Sequence, residues 1–168
     1  MFDVLKKYDT NGVIEFDVSD SLNKKCRDSR IPKHCSGIYI VNALSDGREE
    51  IVYIGSSGNI TGGQKEKQAG RLGKRIIGKQ RDLISGKLVR RNILWPQLME
   101  QQFIDHLKVS WYSTDADNSL IVEYCLLLEF VIRHKRLPIW NNELKLSGQL
   151  KGELEEFIVK NNIETLKI

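Results

Sequence analysis

The stretch GIYIVNALSDGREEIVYIG, residues 37–55, decides how this chain is read. Its two ends, Gly37–Ala43 and Glu50–Gly55, are rich in β-branched and aromatic residues, and Ser45-Asp46-Gly47 between them has the chemistry of a tight turn. The reading is a β-hairpin. Tyr39 and Tyr53 stand on its adjacent strands, each beside a glycine, so their side chains can share one face.

Outward from the hairpin, the polar, Gly-rich SSGNITGG breaks the pattern. From Gly70 the spacing of Leu72, Ile76, Leu83 and Ile84 predicts an amphipathic helix bent near Gly78. A second helix is expected to begin at Pro96 and to carry Leu98, Met99 and Phe103, because proline suits a first helical turn. LKVSWYST, Leu107–Thr114, alternates like a third strand. Asp117 or Asn118 can cap a helix over Leu120–Arg133, which must stop before Pro138. A charged helix over roughly Ser147–Lys160 closes the chain, and upstream there is a short strand, Gly12–Val18, and a helix capped by Ser19 or Asp20.

The 168 residues, 40% of them hydrophobic, suit one globular domain, 1–168, and no repeat or linker divides them. Nothing approaches the ~18 uninterrupted apolar residues of a membrane span, and MFDVLKKYDTNG lacks the apolar core of a secretion signal. A soluble, cytoplasmic protein without membrane partners is expected. Cys26, Cys35 and Cys125 have neither disulfide-framework nor zinc spacing, and His34, His106 and His134 add no ligand pattern. Trp95, Trp111 and Trp140, set among apolar neighbours near element ends, read as packing residues.

Charge is unevenly spread. The net charge is +4, yet Lys65 to Arg91 holds ten basic residues against two acids, a local +8 that leaves −4 for the remainder. Such a block is a footprint for a polyanion, nucleic acid above all, and a solvated helix face is the plain alternative. Its candidate phosphate contacts are Lys65, Lys67, Arg71, Lys74, Arg90 and Arg91.

Gly37-Ile38-Tyr39 and Tyr53-Ile54-Gly55, in that order and 13 residues apart, resemble the two name-giving tripeptides of the GIY-YIG nuclease family. The resemblance spans Gly37 to Asn142, leaving 1–36 and 143–168 as extensions. It implies an α/β (α+β) domain with a short antiparallel sheet flanked by helices. The activity implied is hydrolysis of DNA phosphodiesters by a metal-dependent endonuclease, monomeric or homodimeric. A DNA-binding module of the same fold with impaired catalysis is the alternative.

The family's helix arginine is matched by Arg75, flanked by Leu72 and Ile76, with Arg71 as rival one turn earlier. Lys79 stands where relatives often carry His or Tyr, and GGQKEKQAG resembles the widened loop of restriction-enzyme members. The segment LLLEFVIRHKRLPIWN resembles the family's ending. It makes Glu129 the favoured ligand for Mg²⁺ (or Mn²⁺) and Asn141 the geometry-holding asparagine, with Glu123 in LIVEY the competing carboxylate. Six residues separate the two glutamates, about 120° apart around a helix, so only one is expected to face the site. The resemblance implies that Tyr39 accepts the attacking water's proton, Tyr53 orients water or phosphate, Arg75 clamps the phosphate and Lys79 favours the phenolate. Ser56 and Ser57 depart from the family, several members of which place a lysine there.

Overall fold

A computed structural model describes residues 2–58, 71–114, 116–146 and 148–163. Lys65 and Lys67 fall outside these residues, as does most of the loop that precedes Arg71.

The expected hairpin forms from β2 (Gly37–Ser45) and β3 (Arg48–Ser56), joined at Asp46 and Gly47. Both turn residues have positive φ, 50° and 73°, the primed-turn geometry that matches the strands' twist. β6 (His106–Ser113) pairs antiparallel with β2, and β1 (Asn11–Asp17) pairs antiparallel with β6, giving the order β1-β6-β2-β3. The upstream strand and the strand after Leu107 thus lie within a residue of where the sequence places them.

Helices cover both faces of this sheet. Ile38, Ile40 and Ile54 point to one face, where they pack with α4 (Ser119–His134), α5 (Lys151–Lys160) and the 3₁₀ turn Asp3–Lys7. Tyr39, Val41, Leu107, Val109 and Trp111 point to the other, beneath α1 (Leu22–Asp28), α2 (Leu72–Ile76), α3 (Arg91–Gln101) and Trp140. A central strand buried on both sides explains why GIYIV is almost unbroken in its apolar character rather than alternating. The three tryptophans are buried, as their neighbours predict. The fold is a small α+β domain, as expected.

Capping sets the helix starts. Ser21, one residue beyond the expected caps, accepts from the Lys24 N–H to open α1, and the Asn118 side chain accepts from the Leu120 N–H to open α4.

Two helical expectations are corrected. The helix expected to pass from Gly70 through Leu83 and Ile84 stops at Ile76, and a two-stranded ribbon follows, β4 (Lys79–Arg81) with β5 (Leu88–Arg90). Asp82 is the local cause: its carboxylate accepts from the Ile84 and Ser85 N–H groups, offering the backbone a turn in place of a helix, and Gly86 follows at φ 68°. The helix expected to begin at Pro96 begins at Arg91, with Pro96 inside it. Arg91, Leu94, Trp95 and Met99 form its buried stripe, and their packing outweighs the hydrogen bond that proline removes.

Candidate active site

The tyrosines meet because of a bulge. Val41 pairs with Tyr53 but Asn42 pairs with Ile51, so Val52 is an extra residue in β3. The inserted residue turns Val52 and Tyr53 to the same face, and Tyr53 then stacks on Tyr39 with ring centroids 5.8 Å apart. The glycines make room. A Cβ on Gly55 would fall 2.7 Å from the Tyr39 hydroxyl and 2.6 Å from the Tyr53 ring, and one on Gly37 would fall 2.1 Å from the Tyr112 carbonyl oxygen.

Tyr39 is fully buried, and among the described residues its hydroxyl has no hydrogen-bond partner. Burial raises its pKa well above the ordinary phenol value, and the nearby Arg91 and Arg75 cations only partly oppose this. The proton-acceptor role expected for Tyr39 therefore has burial working against it and these two cations working for it.

Around the end of β3 a chain of polar contacts gathers groups from two helices. Arg75, on α2, donates from Nε to the Ser56 carbonyl at 3.1 Å, and its exposed terminal nitrogens have no partner among the described residues. Ser56 in turn donates from its hydroxyl to the Glu123 carboxylate on α4. Burial raises the pKa of Glu123, against the lowering effects of the Ser56 hydrogen bond and of Arg75 and Arg91. The glutamate favoured from sequence lies elsewhere. Glu129 is six residues along and on another face of the helix, buried beside Arg133 at 3.3 Å, and lines a separate cavity of about 320 Å³ with Asp3, Lys7 and Asn161. The end of β3 selects Glu123 because α4 crosses it at its N-terminal half, a tertiary fact that helical spacing alone does not contain.

Arg91 is also corrected. Expected to contact phosphate, it is only 1% exposed. Its Nε donates to Gln80 Oε1 at 3.0 Å, one Nη to the Arg75 carbonyl and the other to the Tyr53 hydroxyl at 3.1 Å. Its guanidinium also lies 5.5, 5.2 and 5.7 Å from the ring centres of Tyr39, Tyr53 and Trp95. Gln80 is fixed by the Trp95 indole N–H at 3.1 Å and donates to the Trp140 carbonyl at 3.2 Å. The site therefore rests on a buried cation that the basic run concealed. Its signal was available: Arg91 shares a helical face with Leu94 and Trp95, three and four residues on. For Gln80 and Ser56 the sequence carried no comparable mark.

Asn141 clasps β3. Its Oδ1 accepts from the Ile54 N–H at 2.9 Å and its Nδ2 donates to the Ile54 carbonyl at 2.8 Å, while the Trp140 N–H donates to the Val52 carbonyl at 2.9 Å. Arg71, Lys74 and Arg90 are exposed. Arg71 precedes the first residue of α2, and among the described residues no hydrogen bond joins its side chain to the tyrosine site. Lys79, expected four residues along Arg75's helix, lies exposed on β4, and no hydrogen bond or ion pair ties it to the tyrosines among the described residues.

The chain thus brings Tyr39, Tyr53, Arg75 and Glu123 to one end of the sheet, with Asn141 holding the strand between them. No family model, curated protein or solved structure matches it. Among the described residues no group of three or more His, Cys, Asp and Glu side chains could hold a metal ion, and no helix is long and apolar enough to cross a membrane.

Proposed function

We propose that this chain is a metal-dependent endonuclease that hydrolyses DNA phosphodiesters at the end of β3, on the pattern of the GIY-YIG nucleases it resembles. The observation that carries this reading is the run of contacts Arg75 to Ser56 to Glu123 beside the stacked tyrosines: an exposed cation and a carboxylate next to a buried hydroxyl that has no partner among the described residues.

Each group answers one difficulty of the reaction. A phosphodiester anion repels an incoming hydroxide, and the pentacovalent transition state gathers more charge on its nonbridging oxygens. Arg75, anchored through Nε, has outer nitrogens without a partner among the described residues, and these can take those oxygens in a bidentate grip. On this reading the Tyr39 hydroxyl, fixed in place but enclosed in the DNA-free structure, is the group that would align water with the phosphorus once DNA is bound. Tyr53 is held by Arg91 and packs Tyr39 in place. Asn141 grips Ile54, so Tyr53 and Gly55 keep their positions on either side.

Glu123 is the residue that would hold a hard divalent ion, which takes oxygen ligands of this kind. Held by Glu123, such an ion, Mg²⁺ or Mn²⁺, would supply Lewis-acid polarisation and a water of lowered pKa. Glu123 must be ionised for this, and the Ser56 hydroxyl with the Arg75 and Arg91 cations favours that form against burial.

Purified protein incubated with supercoiled plasmid tests the reading. Relaxed or linear product in Mg²⁺ or Mn²⁺ and none in EDTA is the expected result. Salt-dependent retention of DNA without nicking in either ion would instead make this a DNA-binding module of the same fold.

A further inference from the structure

The ribbon that replaces the expected helix has two unlike faces. In the β4–β5 register Lys79 stands opposite Arg90, Gln80 opposite Val89 and Arg81 opposite Leu88. Paired residues of a ribbon project to the same side. Gln80 turns inward, to Arg91, Trp95 and Trp140, so Lys79, Arg81, Leu88 and Arg90 share the outer face, and all four are exposed. Directly opposed like charges weaken a strand pair. Lys79 against Arg90 is such a pair, with Arg81 next to it. Nothing within the ribbon compensates them: its one acid, Asp82, is taken up by the Ile84 and Ser85 N–H groups and the Ser85 hydroxyl.

The tip is apolar and stiff. Leu83 is 50% exposed, Ile84 83% and Leu88 61%, three aliphatic side chains in six residues. The turn beneath them is tied by Gly86 N–H to the Asp82 carbonyl and Asp82 N–H to the Lys87 carbonyl, both at 2.9 Å, and by Arg81 to the Gly86 carbonyl at 2.7 Å. A loop held this firmly presents Leu83 and Ile84 outward as a fixed edge.

We propose that the β4–β5 ribbon is a duplex-DNA docking element, in which Lys79, Arg81 and Arg90 hold backbone phosphates and Leu83 and Ile84 press into a groove as an apolar wedge. Charge chooses this occupant. Arg81 and Lys87 adjoin the apolar tip and Lys79 and Arg90 follow at the other end of the ribbon, so a second copy of the chain seated there would set like charges together, whereas phosphates relieve the Lys79–Arg90 repulsion. Aliphatic wedges flanked by cations suit DNA, where they part base steps and bend the duplex. Continuity supports it as well. The ribbon's inner face and the helix that leaves it hold Gln80 and Arg91, the support of Tyr53, so DNA lying along the ribbon is led to the end of β3. The inference rests on the nuclease reading for its choice of nucleic acid, and its test is separate from cleavage.

Binding of the full chain to a fluorescein-labelled duplex is measured in EDTA over a range of salt. Lys79→Ala/Arg90→Ala should lower the slope of log K against log salt by about 1.8, and Arg81→Ala by about 0.9. The double variant should melt no lower than wild type, since it removes a repulsive pair. Ile84→Ser should weaken binding at unchanged slope and lose the fluorescence rise that wild type produces on a duplex carrying 2-aminopurine at the contacted step. Unchanged slopes in the cation variants overturn the proposal, as does a wild-type 2-aminopurine response from Ile84→Ser. Loss of binding to anionic phosphatidylserine vesicles with DNA binding intact overturns it too, in favour of a lipid surface. Slopes that fall as expected in a protein that never nicks plasmid would uphold the ribbon and end the nuclease reading; nicking with unchanged slopes would do the reverse.

Discussion

Glu123 and Glu129 sit six residues apart on α4, each with its acidity weakened by burial, and their surroundings differ in kind. At Glu129 the partner is Arg133, one turn along the same helix, with Asp3 opposing it and a cavity beyond. At Glu123 the partners arrive from elsewhere in the chain: Ser56 from β3, and the fields of Arg75 and Arg91 from α2 and α3. A carboxylate answered by its own helix is a local solution to burial, complete within one turn. One answered from three separate elements requires the whole fold to be in place, and such convergence is what chemistry on a bound anion needs. Burial alone does not distinguish the two.

The difference between the two ends of α4 can be broken by one pair of variants. Glu123→Gln keeps the side chain's size and removes its charge, and should lower single-turnover plasmid cleavage by about 10²- to 10³-fold. Glu129→Gln should leave that rate within about threefold, a change below the roughly tenfold that corresponds to 1.36 kcal/mol. Equal losses would mean that α4 acts through stability, and a larger loss at Glu129 would favour the other cavity as the proposed metal site.

A similar contrast separates two neighbours in sequence. Arg91→Ala strands Gln80, the Tyr53 hydroxyl and the Arg75 carbonyl and opens a void beneath three aromatic rings; it should cost roughly 3 kcal/mol in urea unfolding. Arg90→Ala, on the exposed face, should stay within about 0.5 kcal/mol.

At Tyr39 a modest shift in stability is the most diagnostic of function. Tyr39→Phe removes a buried hydroxyl that has no partner among the described residues, so the variant should gain up to about 1 kcal/mol while its cleavage rate falls by about 10²-fold. A loss of stability instead would show that the hydroxyl is satisfied in the folded state and serves packing.

What the sequence made legible follows the range of the interactions. The hairpin, β6 and α4 were readable because turn chemistry, strand composition and an Asn cap act over a few residues. Leu83 and Ile84 misled because their spacing from Leu72 and Ile76 imitates a helical stripe, while the cause of the turn, the Asp82 carboxylate, competes with that pattern at closer range. Pro96 misled because proline marks the first turn on average, whereas here the stripe beginning at Arg91 holds the helix through it. The tyrosine pair was anticipated, but not the bulge at Val52 that aims Tyr53. The choice between the glutamates, and the burial of Arg91, depend on contacts between residues far apart in sequence, which periodicity does not record.

β3 is the outermost strand of its sheet, and Val52-Tyr53-Ile54 is the kind of apolar segment on which another chain could build. Trp140 takes the Val52 carbonyl, Asn141 takes both polar groups of Ile54, and Arg75 takes the Ser56 carbonyl, so the outward-facing groups that would template strand addition are already spoken for. The residues that compose the site are in this way also a guard against aggregation. Weakening Asn141 would then do more than disturb Tyr53: it would expose a sticky edge, and cross-β assembly would compete with refolding.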